Sequence, residues 1–524
     1  MRGMKRSVCS RGLLALAVSI GAFGGMQAIA APPEGIFETN ITNDLAVFSG
    51  EPEIAVDPTN PRNLAIISFD IGSAKVPAWA GEPFAVGPAR LPDAATSNNR
   101  VMLSRDGGNT WAVRASPLYD PEQSIIGADQ VIAYGADGQL YVDAVFTPKK
   151  MPSNMLDFSG YRNVIAVSRD GGKTFGKPLT VYMAPHRPFL KVDYKTGTIY
   201  MLTFGFHPDV KDLTNDSLQD GWLMAFKPGL TAHSEARRTG GPDFSAVTGG
   251  TLTAANGVLA TAFVLGLPVL ESMAPKPAVP MPVPASLRGL VKDGTQMCSM
   301  QKPCIFFQTS IDEGQHWTRR HVPLPAASYS GLMPFLAADP GRPGRYALGI
   351  QSLDETRLYV MTTDDSGVTW SGPHRVPEAA PGKDFKPWMD FGPTGVLGFM
   401  WKKQRDDLTS SVRRPATAEG TWSPPDLVGA AFDVYAALSC DGGKTWLPPL
   451  RVNAETSPPG PNRQDDLSYL VLDKRNMHLV WGDRRSIGKI TNAPTGRGGV
   501  QTYYGRVPFA AATHGAKCGR QADL

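Results

Sequence analysis

Apolar and polar residues alternate in short runs along most of the chain, and the runs come in pairs joined by turn residues. EPEIAVDPTNPRNLAIISFD from Glu51, ADQVIAYGADGQLYVDAVF from Ala128 and HRPFLKVDYKTGTIYMLTF from His186 each read as a strand, a tight turn and a second strand. TLTAANGVLATAFVLG from Thr251, MPFLAADPGRPGRYALGI from Met333, FKPWMDFGPTGVLGFMW from Phe385 and DDLSYLVLDKRNMHLVWGDRR from Asp465 repeat the pattern, which makes seven copies. Repetition at this spacing decides architecture before any residue is given a role.

A second repeat follows five of the copies. The motif Ser/Thr-x-Asp-x-Gly-x-x-aromatic stands at Ser104 to Trp111, Ser168 to Phe175, Ser310 to Trp317, Thr363 to Trp370 and Ser439 to Trp446, each time after a strand-like run. Its spacing has a physical reason. The short carboxylates of Asp106, Asp170, Asp312, Asp365 and Asp441 can accept hydrogen bonds from the turn's own amides, and glycine supplies backbone angles that other residues resist. The aromatic residue then packs on neighbouring strands. After the third and seventh copies, GWLMAF at Gly221 and VQTYYGRV at Val500 look like the same strand without the turn motif.

Each unit therefore supplies four strands, and four-stranded units repeated about an axis are propeller blades. The expected fold is all-β: a seven-bladed β-propeller of four-stranded antiparallel blades, with six blades as the alternative if the third unit is an insertion. Residues 36–48 would close the ring by adding a strand to the last blade. The predicted division is a signal peptide over 1–30, the propeller over 31–510 and a C-terminal tail over 511–524.

The repeats resemble the sialidase-like superfamily of BNR (Asp-box) propellers, in particular its bacterial secreted members described as exo-sialidase-like, over about residues 45–507. The resemblance implies a sialidase-like glycoside hydrolase acting on acidic glycans. It also implies roles: Arg187, Arg463 and Arg484 as a carboxylate clamp, Tyr469 as nucleophile, Glu53 as its helper, and Asp70 or Asp129 as the acid. One motif departs from the family. No Arg-Ile-Pro triplet precedes the first Asp box, and the nearest likeness is Arg187-Pro188, after the second.

The residues themselves point to the same end of the molecule. Long strand B to strand C connections (71–99, 266–303 and 402–430) fall on one face of a propeller, opposite the Asp boxes, where they can wall in a pocket. Charged residues flank strands A and B on that face: Glu51, Glu53, Asp129, His186, Arg187, Asp384, Lys386, Arg463, Asp465 and Asp466 before strand A, and Asp70, His207, Lys402, Arg405, Asp483, Arg484 and Arg485 after strand B. Paired guanidinium donors suit a carboxylate, so Arg187, Arg463, Arg484 and Arg485, with His186 and Lys386, are the candidate substrate-binding set. Asp483 with Arg484 and Arg485 reads equally as an ion pair fastening the last blade. Three function classes stay open: a glycosidase, a polysaccharide lyase acting on uronates, and a propeller that binds glycan or protein without chemistry.

Composition narrows the setting. Arg2, Lys5, Arg6 and Arg11 precede the apolar run Leu13 to Phe23 and the small residues at Ala28 to Ala31, the pattern of a secretory signal peptide. Those four charges are the only ones in residues 1–30, so their removal takes the formal charge from +4 to zero. That gives no reason to expect nucleic acid as partner. No membrane span is predicted, and the exported chain, periplasmic or extracellular, is expected to act as a monomer on a glycan or polysaccharide. Cys298 with Cys304 and Cys440 with Cys518 are the expected disulfides in an oxidising compartment. No cofactor or metal is called for, because no ligand loop is recognisable.

Overall fold

The structure is a computed structural model, and it describes residues 35–42, 47–72, 99–114, 117–118, 124–148, 161–181, 186–206, 219–246, 252–265, 280–299, 302–324, 329–405, 431–458, 467–485 and 500–519. These residues form seven four-stranded antiparallel sheets and one two-stranded ribbon. Strands A to D of the first blade are Val47–Val56, Leu64–Gly72, Val101–Ser104 and Ala112–Arg114. The second blade follows with Ser124–Tyr134, Leu140–Pro148, Arg162–Ser168 and Leu179–Val181. The third unit is a complete blade, His186–Val192, Ile199–Phe206, Gln219–Phe226 and the short Arg237–Arg238, so the count is seven and not six.

Blades four to six repeat the order, their innermost strands being Leu252–Ala255, Tyr329–Ala338 and Asp384–Phe391. The seventh takes Tyr469–Leu472, Asn476–Asp483 and Gln501–Pro508 from the end of the chain and Phe37–Asn40 from its beginning. Thr39 lies opposite Tyr504 in that closing pair.

The inner strands of each blade bury both of their sides, which is why their sequences are nearly continuously apolar, whereas outermost strands such as Ala112–Arg114 are exposed. In the first blade Ala65, Ile67, Val101 and Leu103 pack toward blade two, while Leu64, Ile66 and Met102 join the cluster that reaches blade seven. The period of two is thus kept, with an apolar residue on either side of each sheet. A fully buried Ile or Leu in such an interface contributes roughly 1.5–3 kcal/mol.

The octapeptide turns join strands C and D as their spacing predicts. Asp106 Oδ1 accepts from the Thr110 amide at 2.9 Å, and its Oδ2 from the Thr110 hydroxyl at 2.6 Å. Ser104 Oγ accepts from the Gly108 amide at 2.8 Å. The same set recurs around Asp170, Asp365 and Asp441, and around Asp312 with His316 in place of the threonine. Gly108 has φ +90°, and a Cβ there would run into the Tyr504 ring.

One feature of these turns is invisible in any single motif: each receives an arginine from the preceding blade. Arg506 donates to Gly107 O at 2.7 Å, Arg105 to Gly171 O, Arg237 to Glu313 O at 3.1 Å, Arg320 to Ser366 O at 3.2 Å and Arg345 to Asp441 O at 3.2 Å. The carbonyls left over by each turn thereby fasten it to its neighbour.

Both expected disulfides are present, Cys298 to Cys304 with Cα atoms 5.4 Å apart and Cys440 to Cys518 with Cα atoms 4.8 Å apart. The second ties the end of the chain to the turn of blade six. A short helix, Phe509–Thr513, precedes it, and Phe509, Ala512 and Cys518 are buried in the core. The first lies in the insertion of blade four, where Met281–Pro282 pairs with Met297–Cys298 and Val283 and Leu287 pack with Phe244, Phe263 and Phe306. The signal peptide and most of the other long insertions lie outside the described residues. Among those described, no helix is long and apolar enough to cross a membrane.

Candidate functional site

The site begins with a break in the innermost strands. In blades one, two, three and six the A to B register skips, so that two residues of strand A oppose one of strand B: Glu51 and Pro52, Asp129 and Gln130, Arg187 and Pro188, Lys386 and Pro387. These are β-bulges, which bend a strand and re-aim its side chains. The first residue of each is charged and left-handed, with φ of 49° at Glu51, 48° at Asp129, 48° at Arg187 and 50° at Lys386. A side chain in that conformation costs on the order of 1–2 kcal/mol, so four such residues at one level are held there by their surroundings.

The first regular rung after the bulges carries one residue per blade: Glu53, Val131, Phe189, Leu252, Phe335, Trp388 and Tyr469, each three residues before its strand ends. Ring contacts show that this rung meets at the axis. Trp388 lies 4.2 Å from Tyr469, 5.6 Å from Phe335 and 6.4 Å from Phe189, centroid to centroid, joining blades six, seven, five and three. The three rings form an apolar floor beside Tyr469.

Two side chains on this rung are polar and unsatisfied. Tyr469 is 2% exposed and its hydroxyl has no hydrogen-bond partner; Glu53 is 4% exposed and its Oε2 has none either. Burial holds the Tyr469 hydroxyl well above its ordinary pKa, Glu53 pushes it further, Arg187 opposes the shift, and Glu51 and Asp129 add to it. Burial raises Glu53 to about 8, against the pull of Lys191 and of the Ile132 amide. Glu53, Arg187, Glu51 and Asp129 therefore all act on the Tyr469 hydroxyl, although the five residues come from four blades. Asp129 Oδ2 also accepts from the Arg187 amide at 3.1 Å, linking two of the bulges. Lys386 stands at the equivalent bulge of blade six.

The remaining candidates are placed differently. Arg484 is half-buried, and burial alone lowers its pKa. Arg485 is occupied: it pairs with Glu38 of the closing strand and with Asp483 at 3.3 Å, and lies 4.1 Å over the Tyr503 ring. That geometry is the fastening of the last blade. Arg463 and His207 lie outside the described residues, as do the side chains of Asp70 and His186.

Sequence reasoning did not single out Phe189, Phe335 and Trp388 as a floor, nor Lys191 and Asp390 beside Glu53, both of which act on its charge. The repeated charged residue followed by proline (Glu51-Pro52, Arg187-Pro188, Lys386-Pro387) is a signal that could have located the bulges. Among the described residues no group of three or more His, Cys, Asp and Glu side chains could hold a metal ion.

No protein-family model matches the chain, and no curated protein matches it in sequence. Solved structures do. A Hadza microbial sialidase, Hz136, is 15% identical with a TM-score of 0.43, over 81% of this chain and 76% of its own. A protein of unknown function from Dyadobacter fermentans is 12% identical with a TM-score of 0.46, over 90% of this chain and 99% of its own. Trypanosoma rangeli sialidase is 10% identical with a TM-score of 0.39, and the match spans 92% of this chain but 61% of that one. By its own sheet order the chain is a seven-bladed β-propeller, and the solved structures to which it is similar include sialidases.

Proposed function

We propose that the chain is an exported, sialidase-like glycoside hydrolase that acts on acidic glycans at the bulged end of its channel. One observation carries the reading: two buried side chains suited to a nucleophile and its base stand on one axial rung, the Tyr469 hydroxyl and Glu53 Oε2 both lack a hydrogen-bond partner, and the Glu53 charge acts on the Tyr469 hydroxyl. Buried polar groups are normally satisfied, and those that are not mark sites with another use.

In this reading Glu53 takes the phenolic proton as Tyr469 Oη bonds to the anomeric carbon, and Asp129 or Asp70 protonates the departing glycosidic oxygen. Water then cleaves the glycosyl-tyrosine bond, returning the protons and retaining configuration. A Glu53 pKa of about 8 suits a base working at and above that pH, since transfer from a phenol is easier the closer the two pKa values lie. Arg187, with Arg463, Arg484 and Lys386, would face the carboxylate of the sugar. Export is supported by the two disulfides, which persist in oxidising compartments.

The test is release of free sialic acid or of a chromogenic aglycone by the purified chain and by Tyr469→Phe. Turnover lost in the variant supports the assignment. New ultraviolet absorbance from an unsaturated uronate would replace hydrolysis by elimination. The apolar floor of Phe189, Phe335 and Trp388 favours one other alternative, capture without chemistry, whose signature is glycan bound and no product.

A further inference from the structure

Outside the axial site, buried polar groups gather at one blade interface. Asp143, in strand B of blade two, is directly opposite Val131 on one side and Ile165 on the other. Directly opposed side chains share a face of the sheet, and Val131 and Ile165 both belong to the apolar cluster joining blades two and three. Thr203, in strand B of blade three, is opposite Trp222 of the same cluster. Asn163, opposite Val181, faces this layer too. Leu202 stands to Phe189 as Asp143 stands to Val131, so Thr203 is one residue's rise from the level of Asp143.

Asp143 and Thr203 are both 0% exposed, and neither the two carboxylate oxygens nor the hydroxyl has a hydrogen-bond partner. Nothing charged offsets this burial, which by itself raises the Asp143 pKa far above its ordinary value. An unpaired carboxylate surrounded by apolar side chains is too costly to persist as such. It is either protonated or neutralised by a counter-charge. Protonation alone leaves the Thr203 hydroxyl and the second carboxylate oxygen unmatched. The facing side chains offer oxygen atoms of a carboxylate, a hydroxyl and an amide, with no imidazole or thiolate, and such donors select hard cations.

We propose that blades two and three hold a hard cation between them, taken by the Asp143 carboxylate, the Thr203 hydroxyl and the side-chain carbonyl of Asn163. The ion neutralises the buried carboxylate and joins two sheets that otherwise meet through the apolar cluster and the Tyr141 hydroxyl, which accepts from the Gly229 amide at 2.8 Å. It lies one strand outward from the channel and takes no part in the proposed hydrolysis, so its test stands independently of that reading.

The test is thermal unfolding of the chelator-treated, full-length exported chain with Ca2+, Mg2+ or Na+ added singly, together with a titration for stoichiometry. The expected result is a saturable rise in Tm of several degrees with one of the three and one ion per chain. Asp143→Asn, which keeps the shape and removes the charge, loses the rise. Thr203→Val, which keeps the carboxylate, needs a higher ion concentration for the same rise, and it decides the matter if Asp143→Asn does not fold. No rise with any of the ions in the parent chain overturns the proposal in favour of a neutral carboxylic acid. A rise that survives in Asp143→Asn, or one whose midpoint Thr203→Val leaves unmoved, assigns the ion to another place and overturns it equally.

Discussion

The two ends of the sheets use carboxylates in opposite ways. At the octapeptide turns each aspartate is consumed by its own loop: Asp365 accepts from the Thr369 hydroxyl and amide, and these bonds hold it down to about 2. At the bulged end Glu53 keeps an unmatched oxygen in the interior, and burial holds it up at about 8. Both ends depend on left-handed backbone, supplied at the turns by glycine, joined by Glu313 and Ser366 in two of them, and at the bulges by charged residues. The difference teaches where capacity for chemistry is stored. A carboxylate whose lone pairs are all taken fixes a turn, whereas one with a lone pair to spare is available to a substrate.

The largest effect that would sharpen this contrast is expected at Tyr469. Tyr469→Phe should lower kcat by roughly 1,000-fold or more while leaving Tm within a few degrees, checked by glycoside turnover and calorimetry. Glu53→Gln should follow with a fall of about 100-fold. Because the proposed mechanism uses Glu53 deprotonated, it predicts that parent activity climbs with pH through about 8 and that the variant loses that limb.

Stability carries the opposite signs at the two ends. Folding raises the Glu53 pKa from 4.5, so the folded chain holds a proton that the unfolded chain releases. Its contribution is present below about 4.5 and is lost as pH rises through 8, an effect on the order of a few kcal/mol that Glu53→Gln removes. Folding lowers Asp365, so its contribution is present above the ordinary carboxylate range and is lost as pH falls toward 2. Denaturant titrations between pH 4 and 8 read the Glu53 slope and those between pH 2 and 4 the Asp365 slope, and equal signs would break the comparison.

Smaller effects belong to the turn end alone. Replacing Cys440 and Cys518 together by alanine should cost roughly 2–4 kcal/mol of stability, measured by denaturant unfolding, with turnover unchanged. Asp441→Ala, which deletes hydrogen bonds to the Thr445 hydroxyl and amide, should cost about 1–2 kcal/mol and leave kcat alone. A rate loss in Asp441→Ala would show that the two ends are coupled.

The architecture was legible because it is repeated: seven strand pairs and five identical turns mark the blades, and even the missing strand of the last blade is foreshadowed by the run near residue 37. The site was legible only in outline. Glu53, Asp129 and Arg187 were recognisable as flanking the innermost strands and Tyr469 through the family resemblance, but how they are aimed depends on bulges in four of the blades. A bulge shifts the alternation by one position, so a period-two reading of strand A places Trp388 and Phe335 no better than chance. The arginines that fasten each turn to its neighbouring blade reach partners 46 to 399 residues away, and Asp143 and Thr203 lie in different blades, with no shared motif to announce either pairing. Arg485 carried two readings, and only the position of Glu38 distinguished them.

The closing strand has a consequence for how the molecule comes into being. Phe37–Asn40 is made hundreds of residues before Gln501–Pro508, the strand to which it hydrogen-bonds. Until the last strand arrives the growing arc keeps two open edges and unburied apolar flanks, a state prone to association with other chains. Synthesis must therefore outrun aggregation over hundreds of residues, and a variant that weakens this one seam would be lost to association long before its folded form could be found wanting.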